Sequence, residues 1–266
     1  MVNEFPQVVT IAGSDSDGSA GMQADLHAFF THQVYGASIL TAAVAGNSYG
    51  IHAAINLPTD FIDQEFATLA ADYHIRAAKT GMLADSTLIR TVVKNLKKYD
   101  FGALVVDPVI YTKHGDMLLE EAAFATLRNE LVPLATVITP NFFEAQKLAE
   151  MQIVTEADTI AAAHKLQDLG AKNVVIKGDH PVGKTDDVRD FILLENQQSF
   201  WLADEYVATQ RVNGTGDTLS AVITAELAKH TPIAEAIRRA HDYVHLAIEQ
   251  EIAVAHKYGP INHWAK

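Results

Sequence analysis

The chain has 266 residues, 48% hydrophobic and 20% charged, with 15 glycines and 8 prolines, a globular balance that can fill a sizeable core and excludes collagen-like, coiled-coil and low-complexity classes. Twenty Lys and Arg against 33 Asp and Glu leave a formal charge of −13, which repels a phosphate backbone and argues against nucleic acid as a partner. With no cysteine, no basic-then-apolar leader around Glu4 and Pro6 and no apolar run near the roughly 18 residues of a membrane span, the expectation is a cytoplasmic protein without disulfides, thiol nucleophiles or a membrane anchor.

Short β-branched runs alternate with longer amphipathic ones, the grammar of alternating strand and helix. In chain order the pattern predicts a strand over 8–12, a helix over 21–32, a strand over 37–44 and a helix over 60–73. A strand over 75–79, a helix over 86–99, a strand over 103–107 and a helix over 117–131 follow. A strand over 137–139, helices over 141–151 and 155–169, and a strand over 174–177 complete the series. Most of these strands are apolar without alternation, as strands covered on both faces are. Thr155 and Asp158 have capping-box spacing, and Gly170 ends that helix. Beyond Gly178 the pattern changes to a β-hairpin, 188–194 and 199–207 around a polar turn, and then to helices over 218–229 and 232–254. No linker, repeat or charge block interrupts the chain. The expected architecture is one α/β domain over 1–266, a doubly wound, mostly parallel sheet flanked by helices, with a hairpin before the C-terminal helices.

Four segments carry chemistry. Gly178, Gly183, Lys184 and Thr185 satisfy the spacing of a P-loop, but such a loop must run into a helix whose amides hold the phosphates. Here it runs into Asp186, Asp187 and the hairpin, so a solvated loop is the better reading. His241 and His245 share a helix face as a zinc pair would, but no third ligand stands out. Asn213-Gly214-Thr215-Gly216-Asp217-Thr218 lies between the hairpin and an apolar helix. Its glycines let successive N–H groups converge beside a helix dipole, forming an anion hole. Asp217 can either cap that helix or accept a proton from an alcohol attacking a phosphoryl group, and spacing leaves both open. The loop from Gly13 to Gly21 is not a dinucleotide fingerprint, yet it stands at a strand's carboxyl end where ligands bind; an ordinary Gly/Ser/Asp turn is the alternative.

The ordered set Thr10-Ile11-Ala12-Gly13-Ser14-Asp15, Gln23-Ala24-Asp25-Leu26, Lys79-Thr80-Gly81-Met82-Leu83, Val106-Asp107-Pro108-Val109, Ile138-Thr139-Pro140-Asn141 with Glu144, Lys177-Gly178 and Gly214-Thr215-Gly216 resembles the ribokinase superfamily, in its hydroxymethylpyrimidine and pyridoxal kinase branch. The resemblance covers nearly the whole chain. It implies ATP-dependent phosphorylation of the hydroxymethyl group of a small heteroaromatic alcohol, and a homodimer as in many relatives. Asp217 matches the catalytic base, and the amides of Gly214, Thr215 and Gly216 match the anion hole. Asn141 and Glu144 match a motif that organises Mg2+ through water, with Asp107 nearby. Lys177, Gly178 and Asp179, with Gly214, match the nucleotide side. Ala20, Asp25, Gly46, Met82 and Val109 match the ring pocket, although Asp25 could be a first-turn helix carboxylate and Met82 core filler.

Two departures from the family pattern stand out. Many members of the branch carry Cys where this chain has Asp217, so thiol chemistry on a pyridoxal aldehyde is absent here. Pyrimidine kinases of the branch show Ala-Gln-Asn-Thr, whereas this chain reads Ala45-Gly46-Asn47-Ser48. Losing that amide leaves a polar pyrimidine edge unpaired, so the resemblance leans toward pyridoxal or pyridoxine over the hydroxymethylpyrimidine of thiamin biosynthesis. Lys113 and His114 carry no assignment; they could reach phosphate or cover the sheet edge.

Overall fold

The structure is a computed structural model and describes residues 4–111, 119–178 and 187–266. Asp179, Lys113, His114 and the Gly183-Lys184-Thr185 part of the P-loop spacing lie outside the described residues. The strands are β1 (Gln7–Asp15), β2 (Tyr35–Asn47), β3 (Gly50–Asn56), β4 (Ile75–Thr80), β5 (Ala103–Val106), β6 (Val137–Ile138), β7 (Asn173–Ile176), β8 (Asp187–Leu193) and β9 (Ser199–Glu205). They form one nine-stranded sheet in the order β3-β2-β1-β4-β5-β6-β7-β8-β9. Pairing is parallel from β2 through β7 and antiparallel at both margins, where β3 folds back on β2 and the β8–β9 hairpin adds to β7.

Covered strands must feed two layers, and the alternation of side chains does so. Val9, Ile11, Val106, Ile138, Val174 and Ile176 join one core with Phe66 and Ile89, whereas Val8, Val105, Val137 and Val175 join the other with Phe29, Val222 and Ile237. The first core packs under α2 (Thr59–Asp72), α3 (Ser86–Lys98), α5 (Phe142–Ala149) and α6 (Glu156–Asp168). The second packs under α1 (Gly21–Thr31), α7 (Thr215–Ala228) and α8 (Ile233–Glu249). The Thr155–Asp158 capping box forms at the start of α6.

Four sequence expectations change. The strand β3 has no counterpart in the pattern, because all its residues are exposed and backbone pairing to β2, not an apolar run, holds it. The helix expected over 117–131 has a broken described part: a 3-10 turn at Glu121–Ala123, a short α4 (Phe124–Thr126), a wide π-type turn at Leu127–Leu131 and a 3-10 turn at Val132–Leu134. Pro133 has no N–H to donate into a continuing helix. The last helix stops at Glu249 rather than 254, and α7 starts at Thr215 rather than 218.

From β1 the chain steps to β2 on one side and later to β4 on the other. That reversal opens a crevice at the carboxyl ends of β1 and β4, the position where doubly wound sheets bind ligands.

Candidate active site

The Gly-rich segment opens α7. Gly214 is its N-cap with φ +78°, and a Cβ there would overlap the Ser19 carbonyl oxygen, so glycine is required both by conformation and by contact with the loop after β1. A helix leaves its first-turn amides without intrahelical partners. The Thr215 N–H turns back toward the Val212 carbonyl at 3.4 Å, which leaves Gly216 and Asp217 as the first-turn amides suited to meet an anion. No side chain caps α7, so the capping alternative for Asp217 is not adopted. Its side chain is 20% exposed, with Oδ1 3.9 Å from Lys79 Nζ.

Lys79 was not among the candidates read from sequence. It is fully buried at the end of β4, and its Nζ lies 2.6 Å from Asp25 Oδ1. The other Asp25 oxygen accepts Thr10 Oγ1 at 2.5 Å. Burial pushes the Asp25 carboxyl up to about 7, against the pull of Lys79 and with the Asp217 charge adding to the rise. Burial opposes the Lys79 charge, but Asp25, Asp217 and Asp107 outweigh it and hold the ammonium above its ordinary range. The sequence signals for Lys79 are a lysine near the end of an otherwise mostly apolar strand and its place in the Lys79-Thr80-Gly81-Met82-Leu83 motif. Asp25, expected at the ring pocket, has no exposed surface and is engaged by these two partners.

A second lysine stands across from the first. Lys177 Nζ is 3.5 Å from Asp107 Oδ1, and a Cβ on Gly216 would come within 3.1 Å of that ammonium and 3.6 Å of Asp107 Oδ2. Burial works against its charge, and Asp107, Glu144, Asp217 and Asp190 together raise it. The Lys177 N–H donates to Pro140 O at 2.9 Å, and the next amide, Gly178 N–H, donates to Asp190 Oδ1 at 2.9 Å. A Cβ on Gly178 would strike the Arg189 carbonyl; close approach to β8 explains glycine there.

Asn141 and Glu144 form the capping box of α5. Glu144 N–H donates to Asn141 Oδ1 at 2.9 Å, and Asn141 N–H donates to Glu144 Oε2 at 2.8 Å. Glu144 Oε1 accepts the Ile110 N–H at 2.8 Å, and burial raises its carboxyl above the usual range. Among the described residues no three His, Asp or Glu side chains converge into a metal cage, and that includes the pair His241 and His245. The buried carboxylates of Asp107 and Glu144 fit Mg2+ that keeps its waters and binds phosphate, the usual habit of this ion.

Of the ring-pocket candidates, Ala20, Met82 and Val109 fall in the segments that follow β1, β4 and β5, and Gly46 lies near the end of β2. Ala20 is the extended N-cap residue of α1. Met82 reaches the backbone of Gly13, where its Cε lies 2.9 Å from the position of a Cβ. Val109 has φ +35°, a strained setting for a β-branched residue and one that such sites tend to hold. Gly46 pairs with Ile51 across the β2–β3 turn, and its absent side chain leaves Asp15 Oδ1 3.7 Å from where a Cβ would stand. Burial, with Asp17 next to it, lifts the Asp15 carboxyl to about 6.

The geometry combines a helix start without a side-chain cap, the pairs Lys79–Asp25 and Lys177–Asp107, Asp217 3.9 Å from Lys79, and the buried capping box of α5. Over residues 15–262 the chain matches the family described as phosphomethylpyrimidine kinase. The chain belongs to the phosphomethylpyrimidine kinase family. A hydroxymethylpyrimidine/phosphomethylpyrimidine kinase of Haemophilus influenzae is 41% identical over 99% of this chain and 98% of its own. The ADP complex of Bacillus subtilis pyridoxal kinase superposes with a TM-score of 0.90 at 38% identity, covering 98% of both chains. The Staphylococcus aureus pyridoxal kinase with AMP-PCP and pyridoxal superposes with 0.89 at 32% identity, covering 99% of this chain and 95% of that one. Membership in this family, on a ribokinase-like fold, makes the chain a kinase. Among the described residues no helix is long and apolar enough to cross a membrane.

Proposed function

We infer that this kinase transfers the γ-phosphoryl group of ATP to the 5′-hydroxymethyl group of pyridoxal or pyridoxine. Asp217 accepts the hydroxyl proton as that oxygen attacks phosphorus and the bond to the ADP oxygen breaks. The observation that carries this reading is Asp217 standing uncapped in the first turn of α7 with Lys79 3.9 Å away, free to act on an alcohol. Of the anion-hole amides that the resemblance implies, Gly214, Thr215 and Gly216, the Thr215 N–H is directed at Val212 O, so the Gly216 amide, with that of Asp217 and the helix dipole, would chiefly stabilise the charge on the transferring group. Lys177, Gly178, Asp179 and Gly214 serve the nucleotide. When bound, Mg2+ supplies neutralisation of the nucleotide oxygens, and Asp107, Asn141 and Glu144 would hold its water shell. Ala20, Met82 and Val109 wall the ring, and Asp25 acts behind it through Lys79.

Preference for the vitamin B6 ring over the pyrimidine rests on Gly46. A side-chain amide at that position is missing, and the space opens onto Asp15. The names of the curated relatives favour a second reading, hydroxymethylpyrimidine or its phosphate as acceptor. Measuring kcat/KM with ATP for pyridoxal, pyridoxine and hydroxymethylpyrimidine decides between them, and the expected order puts the B6 vitamers first. A higher value for the pyrimidine overturns the preference while leaving the kinase chemistry intact. By resemblance the chain acts as one unit over 1–266, in the cytoplasm, as a homodimer; sedimentation would test the last point.

A further inference from the structure

The geometry points to His241, on α8 and outside the acceptor pocket, as a positioning residue for the nucleotide side, acting through Asp190 and Gly178 on Lys177. The inference rests on the reading that Lys177 and Gly178 meet the nucleotide.

Lys177 is directed by its backbone, which is pinned on both sides of its Cα. On one side its own N–H donates to Pro140 O at 2.9 Å, and on the other Gly178 N–H donates to Asp190 Oδ1 at 2.9 Å. The first bond belongs to the backbone of the sheet. The second depends on a side chain. Asp190 is buried on β8, and its other oxygen, Oδ2, lies 3.0 Å from His241 Nδ1. On the far side of the imidazole, Nε2 is 2.7 Å from Asp204 Oδ2 of β9, an ion-pair contact outside hydrogen-bond alignment. The directed partner of His241 is therefore Asp190.

The groups facing this imidazole are Asp190 from β8, Asp204 from β9, and Asp242 and His245 from α8; His245 itself faces Asp204 at 3.6 Å and Glu249 at 3.3 Å. Burial works against the charge on His241, and Asp190, Asp204 and Asp242 outweigh it, so the imidazole keeps its proton above the usual histidine range. A protonated His241 donates to Asp190 and fixes the carboxylate that receives the Gly178 amide. Loss of that proton leaves one ring nitrogen without a hydrogen and releases either the Asp190 or the Asp204 contact. Charge-assisted hydrogen bonds are about twice as strong as neutral ones, so deprotonation loosens the anchor next to Lys177. Asp190 also adds its charge to those acting on Lys177, which gives the same pair a second, electrostatic route to the site.

The test is His241→Asn in the full-length chain, with ATP and acceptor KM, kcat, and ADP binding by calorimetry measured from pH 6 to 9. The expected result is a rise of about tenfold in ATP KM and ADP Kd at neutral pH, the scale of one charge-assisted hydrogen bond. Acceptor KM should stay unchanged. The wild type should lose nucleotide affinity as pH rises through the His241 titration, and the variant should lack that component. If His241→Asn does not fold, Asp190→Asn takes its place, because the amide keeps an acceptor for Gly178 N–H while removing the charge that His241 pairs with. Its expected result is the same loss of the pH component with a smaller rise in KM. An unchanged ATP KM and pH profile in a folded variant, or equal changes in both substrates' KM, overturns the inference. A wild type that binds no ADP overturns the nucleotide reading beneath it, which separates the two failures.

Discussion

Two lysine–aspartate pairs stand at the carboxyl ends of the sheet strands, and they are built for different work. In the first, Lys79 and Asp25 are both without exposed surface, 2.6 Å apart, with Thr10 holding the free carboxylate oxygen. In the second, Lys177 is 16% exposed and lies 3.5 Å from Asp107. A closed pair cannot reach a ligand, so its ammonium acts by placing charge behind Asp217. An open pair keeps Nζ donors for an incoming anion. On the proposed function, the same two residue types would hold the base on one side and meet the nucleotide on the other, and burial makes the difference.

Removing the base itself should have the largest effect. Asp217→Asn is expected to lower kcat by about 10²–10⁴-fold, the range of general-base catalysis, with ADP affinity by calorimetry unchanged. Equal loss of turnover and binding would mean that Asp217 belongs to the open side. Close behind comes the closed pair. Lys79→Met leaves the buried Asp25 carboxyl without its counter-charge, held by Thr10 alone, and should cost about 3–5 kcal/mol in urea unfolding, whereas Lys177→Met should cost less stability and instead raise ATP KM. Similar unfolding midpoints for the two variants would break the distinction.

The closed side continues through α7 to His263, which makes the next prediction one of pH. His263 Nε2 lies 2.9 Å from Thr218 Oγ1, next to Asp217, and burial, with His27 beside it, depresses the imidazole to about 4. A histidine held neutral in the folded state binds fewer protons there than when unfolded. Its contribution is therefore present above about pH 6.5 and is lost as pH falls toward 4, by about 3 kcal/mol in all. Protonation of the raised Asp25 and Asp15 carboxyls adds stability over the same range, so the readout is a difference: the gap in unfolding free energy between wild type and His263→Asn at pH 7, 5.5 and 4.5 should shift by most of that amount, and a gap independent of pH would remove His263 from the account.

Smaller effects are expected at the glycines. Gly214→Ala places a Cβ at positive φ against the Ser19 carbonyl and should cost about 1–3 kcal/mol in thermal or urea stability as well as turnover. A Cβ at Gly46 would stand 3.3 Å from Gly50 O and 3.7 Å from Asp15 Oδ1 and Ile51 Cα, so the fold should survive Gly46→Gln. Kinetics with both acceptors should show the ratio of pyrimidine to pyridoxal kcat/KM rising about tenfold, one hydrogen bond's worth. An unchanged ratio would remove Gly46 from the specificity argument.

Much of the fold is legible in the sequence itself. Unbroken apolar runs such as Ala103 to Val106 mark covered parallel strands, because a strand with helices on both faces has no polar side to show. Thr155 and Asp158 marked a helix start because local hydrogen bonding decides it. The exposed strand β3 was invisible because pairing to β2, a nonlocal contact, creates it. The Phe124 region was misread because a hydrophobic stripe does not report where Pro133 and core packing break a helix.

For the site, the Gly214-Thr215-Gly216-Asp217 segment was legible because glycine conformation and helix start are local properties. Its relation to Lys79, 138 positions earlier in the chain, was not. Residue identity set the fold class, the anion-hole segment and the missing amide at Gly46, since each depends on side chains within one turn or one strand. Only the tertiary structure decided that Asp25 is sealed against Lys79, that Lys177 is open, and that His241 backs Gly178. Those facts depend on desolvation and on distances between strands far apart in sequence, which no local pattern encodes.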